Sequence, residues 1–167
     1  MTTSAAAADP AALLARLQAA GLTLATAESL TGGLIGAALT DVAGSSVSYR
    51  GGVVCYATDL KATLVGVPQD LLDAHGPVAP QTAAALAEGV AARCTADLGL
   101  AVTGVAGPSD QDGHPVGEVY VAVAGPDGAP AEVRRLALSG SRTDIRQGTV
   151  AAAFALLAEV LAGPEPA

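Results

Sequence analysis

Two side chains in this sequence, Ser29 and Lys61, could act together as a nucleophile and its base. Ser29 lies in a stretch rich in hydroxyl groups and glycine, Ala27–Gly33, and Lys61 is the only lysine, since the other seven cationic residues are arginines. An arginine keeps its proton in a protein, whereas a lysine shielded from water can lose its proton and accept one from a hydroxyl group. Because the sequence shows no histidine-based triad, a hydrolase built on it would need such a Ser–Lys pair.

Each of these residues also has a structural explanation. In a chain whose cationic residues are mostly arginines, a single exposed lysine on a helix can occur by chance. A serine that follows a strand is more often a helix N-cap than a nucleophile. Tyr56 is by default a core residue at the end of a strand, although its hydroxyl could also orient the proton shared by Ser29 and Lys61. Spacing alone leaves these alternatives open.

Motifs for other chemistries are absent or incomplete. Gly104–Gly107 lacks the G-x-G-x-x-G spacing, and no glycine precedes Lys61 as a P-loop requires. Asp110–Gly113 begins like a calcium loop but lacks the later carboxylate ligands, so it is interpreted as a turn. The histidines and cysteines stand too far apart for a zinc site: His75, His114, Cys55 and Cys94. The sequence therefore predicts no metal and no cofactor.

Three polar stretches follow predicted strands. They are Ala27–Gly33, Val54–Lys61 and Thr103–Pro108. In open α/β sheets, ligands bind outside the carboxyl ends of the parallel strands, so we expect these stretches to form one polar rim. The first stretch would also open a helix, and its glycines would let an anion such as phosphate approach the helix N-terminus.

Strands and helices alternate along the chain. Asp9-Pro10 predicts the start of a helix that Gly21 ends. Further helices are predicted over 31–40, over 58–65, from Pro68, from Pro80 to Cys94, and over about 143–161, with strands over 22–27, 51–57, 98–103, 117–124 and 132–138. This order predicts a three-layer α/β/α sandwich, in which one hairpin makes the sheet mixed.

Length and composition favour a single acidic domain. The 167 residues fit one domain over 9–162, with short tails at 1–8 and 163–167. The net charge of -8 and the 2% aromatic content argue against nucleic acid as a partner. The longest stretch without a charge runs only from 74 to 87, so no membrane span is expected. With no leader-like segment and only two cysteines, we expect a cytoplasmic protein with reduced thiols.

Several motifs, in order, resemble the CinA C-terminal domain family. The similarity covers about residues 11 to 162 and is carried by Ala27–Gly33, Gly44–Ser46, Arg50–Tyr56, Lys61, His75-Gly76, Ala101–Pro108, Pro115–Tyr120 and Ser139–Arg142. The common Gly-Asp-Arg of this family appears here as Gly140-Ser141-Arg142, and Leu30 replaces a residue that is often cysteine.

This resemblance implies a nicotinamide-nucleotide amidohydrolase, which converts nicotinamide mononucleotide to nicotinic acid mononucleotide and ammonia in pyridine-nucleotide salvage. It also implies a mixed sheet of about five strands and no metal. Ser29 matches the nucleophile and Lys61 its base, with Tyr56 beside them. Substrate-binding positions are expected at Thr31, Gly32, Gly33, Thr103, Gly104, Arg142 and Arg146, where either arginine could hold the phosphate.

The mechanism expected from this resemblance begins with neutral Lys61 taking the Ser29 proton, and an acyl-enzyme follows. Amides of Thr31–Gly33 or of the Thr103-Gly104 turn would stabilise the oxyanion. Two alternatives stay open: a non-catalytic nucleotide-binding accessory module of the same fold, and deamidation of another small amide. We also expect a homo-oligomer with a small-molecule nucleotide as its ligand.

Overall fold

The computed structural model describes residues 8–163, so the predicted tails lie almost entirely outside the described residues. The helices are α1 (Pro10–Ala20), α2 (Leu34–Thr40), α3 (Thr58–Val65), α4 (Gln69–His75), α5 (Pro80–Arg93) and α6 (Arg142–Ala162). The strands are β1 (Leu24–Glu28), β2 (Tyr49–Val54), β3 (Leu98–Gly104), β4 (Glu118–Ala124) and β5 (Glu132–Ala137).

The five strands form one sheet in the order β2-β1-β3-β4-β5. The strands β2, β1 and β3 are parallel, whereas β4 is antiparallel to both β3 and β5. The predicted mixed sheet of about five strands is therefore confirmed, but with two antiparallel pairs rather than one hairpin. Because β1, β2 and β3 are parallel, their carboxyl ends meet at one edge, as the three polar stretches predicted.

Helices cover both faces of the sheet, which confirms the three-layer sandwich. Leucine and valine side chains of β3 and β4 pack against α1, α2 and α6 on the first face. Mostly small side chains of β1, β3 and β4 pack against α3, α4 and α5 on the second face. At Gly99 of β3, an added Cβ would lie only 1.8 Å from the Ala87 carbonyl oxygen of α5, so glycine permits this close packing.

Two helices depart from the sequence predictions. The helix predicted from residue 31 begins three residues later, at Leu34, because Ser29–Gly33 forms a turn of its own. By length and composition alone, α6 could cross a membrane, which the sequence analysis did not anticipate. It packs along the first face of the sheet, where Ile145, Phe154 and Leu157 are buried.

Candidate functional site

A cavity of about 270 Å³ opens at the shared carboxyl edge of β1, β2 and β3. Six of the predicted site residues line it: Ser29, Tyr56, Lys61, Thr103, Gly104 and Arg142. The turn after α4 contributes Pro77 and Val78, and the loop after β3 contributes Ser109 and Gln111, none of which the sequence analysis had singled out. Five segments that are distant in sequence therefore meet around one polar cavity.

Ser29 and Lys61 are in hydrogen-bond contact within this cavity. The Lys61 Nζ lies 3.2 Å from the Ser29 Oγ and 2.8 Å from the Cys55 carbonyl oxygen. Side chains alternate along β1, with Ala25 and Ala27 facing the second face of the sheet, so Ser29 continues toward the same face. Since Lys61 lies on α3, which covers that face, strand geometry and helix placement bring the pair together.

Burial changes the acid–base chemistry of Lys61. The side chain is only 1% exposed, and removal from water lowers the pKa of its ammonium group below the ordinary value for lysine; a weaker effect of the neighbouring Cys55 thiol opposes this. Within residues 8–163, no carboxylate lies within ion-pair distance of its Nζ. Lys61 is thus a buried lysine without a counter-ion, the environment that favours a neutral amine beside a serine hydroxyl.

Tyr56 lies at the mouth of the cavity rather than in the core. Its side chain is 61% exposed, and its hydroxyl accepts a hydrogen bond of 3.2 Å from Arg142. In the described part of the chain, this hydroxyl makes no hydrogen bond with Ser29 or Lys61. Tyr56 therefore lies at the rim of the cavity. That its hydroxyl relays the Ser29 proton stays a prediction, because no contact in the described residues supports it.

Arg142 spans the mouth of the cavity. Besides Tyr56, it donates to the carbonyl oxygen of Gly107 in the loop after β3. Ser141 is the N-cap of α6 and exchanges hydrogen bonds with Asp144. The aspartate of the common Gly-Asp-Arg motif could fill the same N-cap position. The departure from Gly-Asp-Arg thus leaves Arg142 at the first position of α6, facing the cavity.

Thr103 and Gly104 form the wall contributed by β3. The Thr103 hydroxyl donates to the Pro77 carbonyl oxygen at 2.6 Å, which ties β3 to the turn after α4. The amide of Leu98 points toward β1 and that of Val105 toward β4. Because amides alternate along a strand, the Gly104 amide points to the β1 side, beyond the last residue of β1 that pairs with β3, and Gly104 lines the cavity there.

Thr31, Gly32 and Gly33 do not line the cavity. Their turn is occupied by the buried carboxylate of Glu28, which accepts from the Thr31 hydroxyl at 2.7 Å and from the Gly33 amide at 3.2 Å. The same carboxylate accepts from the amides of Ile35 and Gly36. The start of α2, where we expected an anion, therefore already holds a negatively charged side chain.

Arg146 also contacts this turn rather than the cavity. It donates from Nε to the Leu30 carbonyl oxygen at 2.9 Å and from a terminal nitrogen to the Thr31 carbonyl oxygen at 3.1 Å. Only Arg142 of the two candidate arginines lines the cavity. The sequence placed them one helical turn apart but could not show that they face different partners.

The loop between β3 and β4 is held by a polar network that the sequence analysis missed. The buried Glu118 accepts from the Tyr120 hydroxyl at 2.7 Å and lies 3.1 Å from the His114 Nδ1. The Tyr120 hydrogen bond, followed by the His114 contact, keeps the pKa of Glu118 low despite its burial. Asp112 and Gly113 form the two-residue turn of this loop, as expected for Asp110–Gly113.

Sequence reasoning also gave no role to Glu28 or to the Cys55 carbonyl. A charged residue at the end of an apolar strand, just before a Thr-Gly-Gly turn, was the available signal for Glu28. A carbonyl oxygen leaves no such signal, because every residue carries one. Within residues 8–163, no group of three or more histidine, cysteine or acidic side chains is arranged to hold a metal ion.

Comparison with known sequences gives a consistent set of relatives. The family model described as CinA C-terminal domain matches residues 7–161. A CinA-like protein of Frankia casuarinae is 50% identical over 141 residues, which cover 84% of this chain and 32% of that protein. A CinA-like protein of Parasynechococcus marenigrum is 47% identical over 139 residues, 83% of this chain and 33% of that protein. The chain thus spans about a third of the length of the curated relatives it matches.

Solved structures share the whole fold. A competence-damaged protein (CinA) superfamily protein of Klebsiella pneumoniae superposes with a TM-score of 0.87 at 30% identity, covering 96% of this chain and 99% of that one. The competence/damage inducible protein CihA of Agrobacterium tumefaciens gives a TM-score of 0.83 at 38% identity, covering 92% and 96%. None of these names specifies a reaction.

Proposed function

Because the chain belongs to the CinA C-terminal domain family, we propose that it is an amidohydrolase that converts nicotinamide mononucleotide to nicotinic acid mononucleotide and ammonia. The observation that carries this proposal is the contact between the buried Lys61 Nζ and the Ser29 Oγ inside the cavity. A lysine in this position can act as a base only if it can give up its proton, which its lowered pKa favours.

The reaction begins when neutral Lys61 accepts the Ser29 proton while the serine oxygen attacks the carboxamide carbon. The tetrahedral intermediate then collapses, the carbon–nitrogen bond breaks, and protonated Lys61 returns the proton to the leaving ammonia. Water adds to the resulting acyl-serine with Lys61 again as the base. The products are the carboxylate and free Ser29, so one amide and one water give one acid and one ammonia.

Backbone amides are the candidates for stabilising the oxyanion. Gly32 already donates to the Ser29 carbonyl oxygen and Gly33 to Glu28, and Thr31 is fully buried and does not line the cavity. None of the three amides expected from the sequence therefore faces the cavity in this structure. Gly104 lines the cavity on the wall formed by β3, and its amide, on the β1 side, is the candidate donor. Fixed donors aimed at developing negative charge cost no reorganisation during the reaction, which makes them effective in a site shielded from water.

Arg142 supports a nucleotide as the substrate. It is the one arginine among residues 8–163 that lines the cavity, and it lies at the mouth, away from the deeply buried Lys61. An amide placed at Ser29 would therefore direct a phosphate on its far side toward this guanidinium. The cationic pyridinium ring suits a protein with a net charge of -8.

The test is ammonia release from nicotinamide mononucleotide, nicotinamide riboside, nicotinamide and NAD by the wild type and by Ser29→Ala. We expect release from the mononucleotide by the wild type and none by the variant. Arg142→Ala should raise KM for the mononucleotide much more than for the riboside, because only the mononucleotide has the phosphate. A wild type that releases ammonia from none of the four compounds would contradict the proposal, and release from the free amide alone would exclude a nucleotide substrate.

A further inference from the structure

Arg146 makes an unusual pair of contacts directly behind the proposed nucleophile. From the second turn of α6, it donates one hydrogen bond to each of two successive carbonyl oxygens, those of Leu30 and Thr31. These carbonyls belong to the peptide groups that follow Ser29. The side chain approaches from the first face of the sheet, which α6 covers, whereas Lys61 approaches Ser29 from the second face.

The turn that Arg146 contacts contains a glycine and is also bound by Glu28. Gly32 has a φ of +59°, which favours glycine, and an added Cβ would lie 3.5 Å from a terminal nitrogen of Arg146. Two donors of the same turn, the Thr31 hydroxyl and the Gly33 amide, bind Glu28. Two side chains of opposite charge thus hold the turn, one through its donors and one through its acceptors.

The contacts of Arg146 fix the direction of the amides in this turn. In a planar trans peptide group, the N–H points opposite to the C=O. Because the Leu30 carbonyl points toward Arg146, the Thr31 amide points away from it. The positively charged guanidinium beside the carbonyl oxygen also polarises the peptide group and strengthens its N–H as a hydrogen-bond donor.

We propose that Arg146 is a positioning residue, which orients the Ser29 turn for reaction and does not hold the substrate phosphate. This inference rests on the proposed role of Ser29 as the nucleophile. The guanidinium is suited to the task because it is planar and reaches two acceptors at fixed spacing. A lysine would keep the charge but could not reproduce the paired contacts.

The experiment compares Arg146→Lys and Arg146→Gln with the wild type in two assays. One assay is the rate at which an uncharged fluorophosphonate ester labels Ser29, measured by mass spectrometry, because this probe reports nucleophile activation without an amide substrate. The other is kcat and KM for nicotinamide mononucleotide. We expect both variants to be labelled at least about tenfold more slowly, with kcat reduced similarly and KM nearly unchanged.

Arg16 provides a matched control. It donates to the Ala158 carbonyl oxygen of the same helix α6, far along the helix from the cavity. Arg16→Lys and Arg16→Gln therefore remove a comparable arginine–carbonyl contact, and we expect labelling and kcat within about twofold of the wild type. Circular dichroism and thermal unfolding of all variants check that the proteins are folded.

The outcomes separate this inference from the proposed function. If the wild type is labelled or active and Arg146→Lys matches it, a positive charge is sufficient and the positioning role is wrong. A rise in KM for the mononucleotide with unchanged labelling would assign Arg146 to the phosphate instead. If neither Arg146 variant folds while the Arg16 variants do, Arg146 acts on the whole fold and the inference is overturned. A wild type without labelling and without ammonia release would overturn the proposed function itself.

Discussion

The chemistry of this site depends on where a single lysine is placed. Lys61 is buried without a carboxylate partner, and its Nζ meets only a serine hydroxyl and a backbone carbonyl among the described residues. A charged ammonium in that environment is disfavoured, so burial lowers the pKa of Lys61. An exposed lysine, the alternative that the sequence left open, would have kept its ordinary pKa and could not serve as a base near neutral pH.

Lys61→Arg tests whether the lysine acts as a base. An arginine retains the charge but cannot accept the Ser29 proton, so we expect a loss on the order of a thousandfold in kcat/KM, close to that of Ser29→Ala. The double variant should be little worse than either single variant. In the wild type, kcat/KM should rise with pH through a pKa lower than that of an ordinary lysine, because only the neutral amine is active.

The corresponding measurements are steady-state kinetics of ammonia release across pH, after circular dichroism has shown that the variants are folded. A folded Lys61→Arg protein that keeps more than about a tenth of the wild-type activity would show that lysine acts only as a positive charge. An activity that falls as pH rises through the lysine pKa would also exclude the base, since the charged form would then be the active one.

Residue types predicted much of the site, but hydrogen-bond partners could not be predicted. Ser29 and Lys61 stood out because of their types, and the carboxyl ends of the strands placed them at one edge. Tyr56 could hydrogen-bond to the Ser29–Lys61 pair or to Arg142, and Arg146 could face the cavity or the Ser29 turn. The choice depends on side-chain directions that are set by packing between distant elements. Spacing along the chain carries no information about those directions.

At the scale of elements, the sequence predicted where most helices and strands lie, and the departures have physical causes. The Asp9-Pro10 start and the Gly21 end of α1 follow local capping rules, and the structure confirms them. The start of α2 is displaced because Glu28 reaches across the Ser29 turn to its first amides, a contact that follows from the end of β1. The antiparallel pairing of β3 with β4 spans a long loop whose Asp112-Gly113 turn lies within the loop and does not join the two strands directly, so the pairing could not be predicted from that turn.

Glu28 therefore acts as the cap of α2, and its removal should cost more than that of an ordinary cap. Glu28→Ala leaves several buried donors without an acceptor, and we expect a loss of about 3 kcal/mol in the free energy of unfolding. Asp9→Ala, which removes the exposed cap of α1, is the matched control and should cost about 1 kcal/mol. Urea unfolding followed by circular dichroism measures both. Equal losses would show that the Glu28 contacts add nothing beyond a surface cap.

The whole molecule is needed to form the cavity. Its walls come from positions as far apart as Ser29, in the turn after β1, and Arg142, at the start of α6. The helix α6 also packs along the first face of the sheet. An unfolded chain has no such arrangement and should not bind the nucleotide. Ligand binding is therefore linked to the stability of the entire fold.

Ser29→Ala allows this linkage to be measured without turnover. At a concentration of nicotinamide mononucleotide 100 times its Kd, binding to the folded state alone adds about 2.7 kcal/mol to the free energy of unfolding. For a chain of this size, that raises Tm by roughly 5 to 11 °C. The riboside at equal concentration should shift Tm less, because it lacks the phosphate that Arg142 would hold. Differential scanning calorimetry measures the shifts. An accessory module would show the same shifts in the wild type without ammonia release, whereas no shift at millimolar nucleotide would contradict both functions.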